Sequence, residues 1–213
     1  MTDVERVIHV IVNGIQLHLE TRPGLFSPAR LDPGTLAMLS VTKLAPREKV
    51  LDLGCGYGLV GIYMARLCGA QQVVMSDDDP LALEVARRNA VSNGLEDIRV
   101  LLSDGFEQIA DEDFTLIMAN PPYHADFSVP KGFIEGARRH LTVGGRLVMV
   151  VKRVTWYRNK MQSVFGGVRV TLADGYAVLE SEKRGGSPRA KPIKATTKKH
   201  LRRVQASAAR KRH

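Results

Sequence analysis

From Lys49 onward the chain alternates short apolar runs with helix-periodic segments, and no other feature constrains its fold as much. Strand-like runs fall near residues 49 to 53, 72 to 76, 97 to 102, 114 to 119 and 145 to 152, and helical periodicity near 58 to 68, 80 to 93, 131 to 141 and 156 to 165. Two further strand-like runs, near 167 to 173 and 176 to 181, close the pattern. Such alternation predicts an α/β fold with a mostly parallel sheet covered by helices on both faces. The hairpin-like ending VRVTLADGYAVLES places an antiparallel strand at or beside the edge.

Ahead of this core, RVIHVIV and IQLHLE flank Asn13-Gly14, the commonest two-residue hairpin turn, so residues 6 to 20 are expected to form a β-hairpin. Pro23, Gly24 and Pro28 mark a loop that carries Phe26 and Ser27. Asp32-Pro33 reads as the N-cap and first position of a helix that runs to about Leu44. The expected division is a hairpin-and-helix extension over residues 1–48 packed on the core, a catalytic core over 49–182, and a tail over 183–213.

The tail holds 12 of the 31 Lys and Arg residues and no Asp or Glu, which leaves 19 basic against 22 acidic residues before it. The net charge of +9 is therefore a property of the tail. With Ile193, Leu201 and Val204 as its only large aliphatics, the segment cannot bury enough surface to fold alone and is expected to be disordered. It is either a solvated tail or, the favoured reading, a phosphate-binding arm that gains affinity for RNA by counterion release. Lys198, Lys199, Arg202 and Arg203 would share a face of a helix formed on such a backbone.

At 213 residues, 44% apolar and 25% charged, the chain has the composition of an ordinary globular domain. No run approaches the roughly 18 apolar residues of a membrane span, and MTDVERVIHV carries acids where a secretory signal carries lysines, so a cytoplasmic location is expected. Cys55 and Cys68 lack metal-ligand spacing and read as buried thiols, with no metal expected.

Residues 50 to 58, VLDLGCGYG, set Asp52, Gly54, Cys55 and Gly56 between an apolar strand and an apolar helix. Gly54 and Gly56 let the backbone bend tightly and approach a ligand, and Gly58 starts the helix close to the sheet. The second strand ends at Ser76-Asp77, where a carboxylate can bind both hydroxyls of a ribose. An acid as near the turn as Asp52 suits the ammonium of a methionine moiety better than a pyrophosphate, which favours S-adenosylmethionine over a dinucleotide. Asp104, after the third strand, either accepts from an adenine amine or caps a turn. Asp78, Asp79 and Pro80 read as a helix start with Asp79 as N-cap, Asp78 standing among the candidate cofactor contacts beside Asp77.

Asn120-Pro121-Pro122-Tyr123 ends the apolar run FTLIMA. It is either a turn that stops a strand or a rigid loop that holds a planar amine. In the second reading the Asn120 side chain and the Pro121 carbonyl accept from an NH2, the two prolines fix φ, and Tyr123 offers a stacking face. His124 is read as a loop or RNA-facing side chain in preference to a general base.

With DLGCGYG, SDDDPLALEVARRNAVSNGL, SD and MANPPYH in this order, residues 6 to 182 resemble the class I S-adenosylmethionine-dependent methyltransferases that act on amine nitrogens. The segment PGLFSPARLDPGTLAML and the ending WYRNKMQSVFG are most similar to the small-domain methyltransferases, a group that includes guanine-N2 methyltransferases of small-subunit ribosomal RNA. The resemblance implies a Rossmann-like seven-stranded sheet with its last strand antiparallel. It also implies Asp52, Gly54 and Gly56 at the methionine end, Asp77 on the ribose, Asp104 on the adenine amine, Asn120 on the target amine, and Phe26 and Ser27 walling the pocket. Alternatives on the same loop are glutamine-N5 methylation of a protein, adenine-N6 methylation, and an RNA-binding assembly factor without catalysis.

Overall fold

The computed structural model describes residues 6–121 and 127–185. The chain opens with β1 (Arg6–Val12) and β2 (Ile15–Thr21), an antiparallel pair joined at Asn13 and Gly14. Both turn residues have positive φ, 46° and 82°, the turn whose twist matches its strands and which Asn-Gly favours. In α1 (Pro33–Val41) the Asp32 carboxylate accepts the Thr35 N–H at 2.7 Å and Pro33 occupies the first turn. The helix ends short of the expected Leu44 because Thr42 is extended and turns its N–H and hydroxyl back onto the Met38 carbonyl.

The main sheet contains β3 (Val50–Leu53), β4 (Val73–Asp77), β5 (Arg99–Leu102), β6 (Phe114–Ala119), β7 (Leu141–Val151), β8 (Arg169–Ala173) and β9 (Tyr176–Glu182). Helices α2 (Leu59–Cys68), α3 (Pro80–Ser92), α4 (Ser128–His140) and α5 (Val154–Phe165) connect them. Strand order is β5-β4-β3-β6-β7-β9-β8. The first five strands run parallel, and β9 is antiparallel to both of its neighbours. The last strand thus lies one place in from the edge, and β8 forms the edge itself.

Besides the end of α1, two boundaries differ from the sequence expectation by three residues or more. Helix α4 begins at Ser128, with Pro130 inside its first turn, where a missing N–H costs no intrahelical bond. Strand β7 begins at Leu141, because Leu141 pairs with Phe114 before Gly144, at φ 86°, shifts the register to Leu116 and Arg146.

Alternation along the strands divides the core. Val50, Leu116, Met118, Val148, Val150 and Val178 face the layer of α2, α3 and the hairpin, whereas Leu51, Ile117, Leu147, Met149 and Leu179 face α4 and α5. Leu17 and Leu19 of β2 are fully buried, so the hairpin is part of the first layer. No helix among the described residues is long and apolar enough to cross a membrane.

Candidate functional site

The parallel strands end along one edge of the sheet, and the loops that leave them enclose a cavity of about 260 Å³. Beyond β3, residues Gly54, Gly56 and Gly58 hold φ of 72°, 55° and 94°, a backbone that side chains with a Cβ rarely adopt. A Cβ on Gly58 would also press on Ile62, Met75 and Ala86 at 3.2–3.3 Å, so the glycine lets α2 start close to the sheet. The bent loop turns the Gly56 N–H onto the Asp77 carboxylate at 2.8 Å.

Asp77 accepts one backbone N–H on each oxygen, from Gly56 and from Asp79 at 3.0 Å. A carboxylate has about four acceptor positions, so one remains on each oxygen for a pair of vicinal hydroxyls. Burial raises its pKa, and the two N–H bonds pull against that. Asp52 is 2% exposed and accepts the Gly61 N–H at 2.8 Å. Burial raises its pKa to about 7, opposed by the Gly61 bond and reinforced by Asp77. Burial likewise pushes Cys55 up, and Tyr57, with Asp32 nearby, to about 12, so thiol and phenol are neutral at the cavity wall.

Five aspartates line the cavity, Asp32, Asp52, Asp77, Asp78 and Asp104, and among the described residues no Lys, Arg or His does. They do not converge: among the described residues no three His, Cys, Asp or Glu side chains are gathered as metal ligands. A cavity of this kind favours an organic cation and disfavours a pyrophosphate. These residues fit a cofactor with an ammonium near Asp52 and a ribose at Asp77.

Asn120 lines the same cavity at the end of β6. Its Nδ2 donates to Asp32 Oδ2 and to Thr35 Oγ1, each at 2.9 Å. Among the described residues its buried Oδ1 has no hydrogen-bond partner, which leaves an acceptor open to a bound group.

The structure therefore brings together Phe26, Asp52, Gly54, Cys55, Gly56, Asp77, Asp78, Asp104, Asn120 and Pro121 around one cavity. Asp79 caps α3, accepting the Leu81 N–H at 2.8 Å, while Asp78 reaches the cavity as well as standing at the helix start. Ser27 does not line it: at φ 49° its backbone reverses the loop toward Pro28, whose carbonyl accepts from the Thr21 hydroxyl. Pro122, Tyr123 and His124 lie outside the described residues, as does the tail from residue 186.

Sequence reasoning missed Thr35, Tyr57 and Phe133 as wall residues, and read Asp32 only as a cap. Asp32 and Thr35 were detectable as a capped helix start, but no local pattern shows which distant loop that start faces. Asn89 was missed too. Wholly buried on α3, it donates to the carbonyls of Tyr57 at 2.8 Å and Glu20 at 2.9 Å and accepts the Glu20 N–H, tying the glycine loop to β2.

Residues 16–180 match the family described as methyltransferase small domain. A ribosomal RNA small subunit methyltransferase C of Haemophilus influenzae (strain PittGG) is 35% identical over 163 residues, covering 75% of this chain and 49% of the relative. The protein of that name in Serratia proteamaculans is 32% identical over the same length. Among solved structures, the 16S rRNA N2 methyltransferase RsmC of Thermus thermophilus, in complex with AdoMet and guanosine, superposes with a TM-score of 0.78 at 29% identity, over 85% of this chain and 51% of that one. TrmN from Thermus thermophilus gives 0.60 at 26% identity, over 70% of this chain and 48% of its own. The chain spans about half the length of the curated relatives it matches. The glycine loop, the strand-end aspartates and the amide at the end of β6 thus sit in a recognised framework, and the chain belongs to the methyltransferase small domain family.

Proposed function

We propose that the protein transfers a methyl group from S-adenosylmethionine to an exocyclic amine of a base in RNA, guanine N2 of small-subunit ribosomal RNA, in the cytoplasm. One observation carries this reading: the buried Asn120 Oδ1, without a hydrogen-bond partner among the described residues, lines a cavity that five of their aspartates wall. Such a site takes a cation and an NH2 donor together. The nucleic-acid class and the base are inferred from the names of the relatives given above.

Bound there, S-adenosylmethionine supplies an electrophilic methyl on a sulfonium. Asp52 holds its ammonium and Asp77 its ribose hydroxyls, with Asp104 toward the adenine amine. Asn120 Oδ1 and the Pro121 carbonyl accept the two hydrogens of the target NH2, which draws its nitrogen out of conjugation with the ring and frees the lone pair. As positive charge grows on that nitrogen, both acceptors bind it more strongly. No strong base is needed beforehand, since the proton leaves to solvent afterwards.

Residues 183–213 are proposed to serve as the RNA-binding arm, since they hold the chain's excess of positive charge. Their deletion is expected to weaken RNA binding and flatten its salt dependence, and unchanged, salt-insensitive binding would refute the assignment. The function is tested by incubating the protein with labelled S-adenosylmethionine and fractionated RNA from cells lacking it, followed by nucleoside analysis. N2-methylguanosine in small-subunit RNA is expected. Label in adenosine, in protein, or nowhere would overturn the reading.

A further inference from the structure

The geometry points to Asp32 and Thr35 as positioning residues that fix which end of the Asn120 carboxamide faces the target amine. This rests on the reading that Asn120 accepts from that amine.

The proton arrangement around Asp32 has one solution. The Thr35 N–H can only donate, and it meets Asp32 Oδ2 at 2.7 Å, so that oxygen is an acceptor. The Thr35 hydroxyl donates to the same oxygen at 3.1 Å, which leaves its own oxygen free to accept. Asn120 approaches both atoms at 2.9 Å, so the group it turns toward them must be the amide nitrogen with its two hydrogens. The amide oxygen is then left without a partner among the described residues. Turning the carboxamide over would set its oxygen 2.9 Å from the Asp32 acceptor, lose two hydrogen bonds, and present NH2 groups to each other across the cavity.

The clamp is rigid because its members are fixed by other bonds. Asp32 is 7% exposed and Thr35 6%, and both belong to the capped start of α1. The contact joins residues 88 and 85 positions apart, so the extension before the core completes the site. Hydrogen bonds from Nδ2 to a carboxylate also polarise the amide and strengthen Oδ1 as an acceptor.

The test is a double-substitution cycle in the full chain, assayed with S-adenosylmethionine and the RNA that the wild type methylates. Asp32→Ser retains a good N-cap but is too short to reach Asn120, so α1 is kept while the clamp opens. Its kcat is expected to fall about 10- to 100-fold. KM for S-adenosylmethionine should change less than about twofold, a split that general loss of structure does not produce. Thr35→Val is expected to cause a smaller fall in kcat. In an Asn120→Ala background, followed in single turnover, Asp32→Ser is expected to add no further loss. An equal loss in both backgrounds, or an unchanged kcat in the single variant, overturns the positioning role while leaving the methyltransferase reading intact. Absence of RNA methylation by the wild type overturns both.

Discussion

The Gly61 N–H in the first turn of α2 donates to the Asp52 carboxylate on β3 at 2.8 Å, linking helix and strand directly beneath the cavity. Nothing larger than glycine fits at this contact. A Cβ at residue 61 would lie 2.4 Å from Met75 Cγ and 2.5 Å from its sulfur, and Met75 is fully buried. Gly61→Ala is therefore expected to lower stability by about 1–3 kcal/mol through overpacking. It should also weaken cofactor binding, because the helix cannot shift without moving the Asp52 bond. Denaturant melts and cofactor titration check both effects, and an unchanged unfolding midpoint would rule out the packing argument.

Asp52 has a pH signature of its own. Burial holds its pKa near 7, so in the free protein it binds a proton that the unfolded chain releases near pH 4. Between those values the native state holds more protons than the unfolded state, so this group's contribution to stability falls as pH rises. A cationic ligand reverses the preference and drives the proton off. Binding of S-adenosylmethionine at pH 6 is expected to release close to one proton from Asp52. Calorimetry in two buffers of different ionisation heat measures that release, and Asp52→Asn should abolish it. A wild-type heat independent of buffer at pH 6 would contradict the assignment.

The parts of this structure that were legible in sequence are those determined within a few neighbours. Asn13-Gly14 specifies its own turn, Asp32-Pro33 its own helix start, and Gly54 and Gly56 a backbone that few other residues adopt. Asp77 was found because it ends the strand beside the glycine loop. Gly61 was not, since its requirement comes from Met75 on a neighbouring strand. The contacts of Asp32 with Asn120 and of Asn89 with Glu20 span 88 and 69 residues and exist only once the layers have packed. Asparagine is a poor helix former, so Asn89 inside α3, with Asn93 four residues on at its C-cap, was the available sign of such a role.

Those two residues, Asn89 and Asn93, pair with β2 as a neighbouring strand would. Each exchanges two hydrogen bonds with one β2 residue, Asn89 with Glu20 and Asn93 with His18, at 2.6–3.1 Å. The edge of the hairpin is thereby covered by side-chain amides. Asn89→Ala leaves the Glu20 N–H and the carbonyls of Glu20 and Tyr57 without these partners, and should cost about 2–3 kcal/mol. Asn93→Ala, whose bonds to His18 are solvent-exposed, should cost about 1 kcal/mol or less. Urea unfolding of the two variants gives the order, and a larger loss at Asn93 would contradict it.

Asp111 fixes the loop that enters β6, at the end of that strand away from Asn120. Arg99 on β5 grips it through two bonds of 3.0 Å, Lys49 adds a third at 2.9 Å, and its own carbonyl bonds His140 Nδ1 at 2.7 Å. The Arg99 fork, with Lys49, lowers its pKa to about 2 against the cost of burial. A carboxyl depressed in the native state contributes stability that is complete above about pH 4 and lost as pH falls toward 2. Arg99 is half exposed, so solvent screening limits the contribution to about 1 kcal/mol. Asp111→Asn is expected to be destabilised by that amount at pH 6, with the gap to wild type reduced to about half at pH 3. Urea melts at both values measure it. A gap as large at pH 3 as at pH 6 would mean that the asparagine fails for steric reasons and that the ion pair contributes nothing.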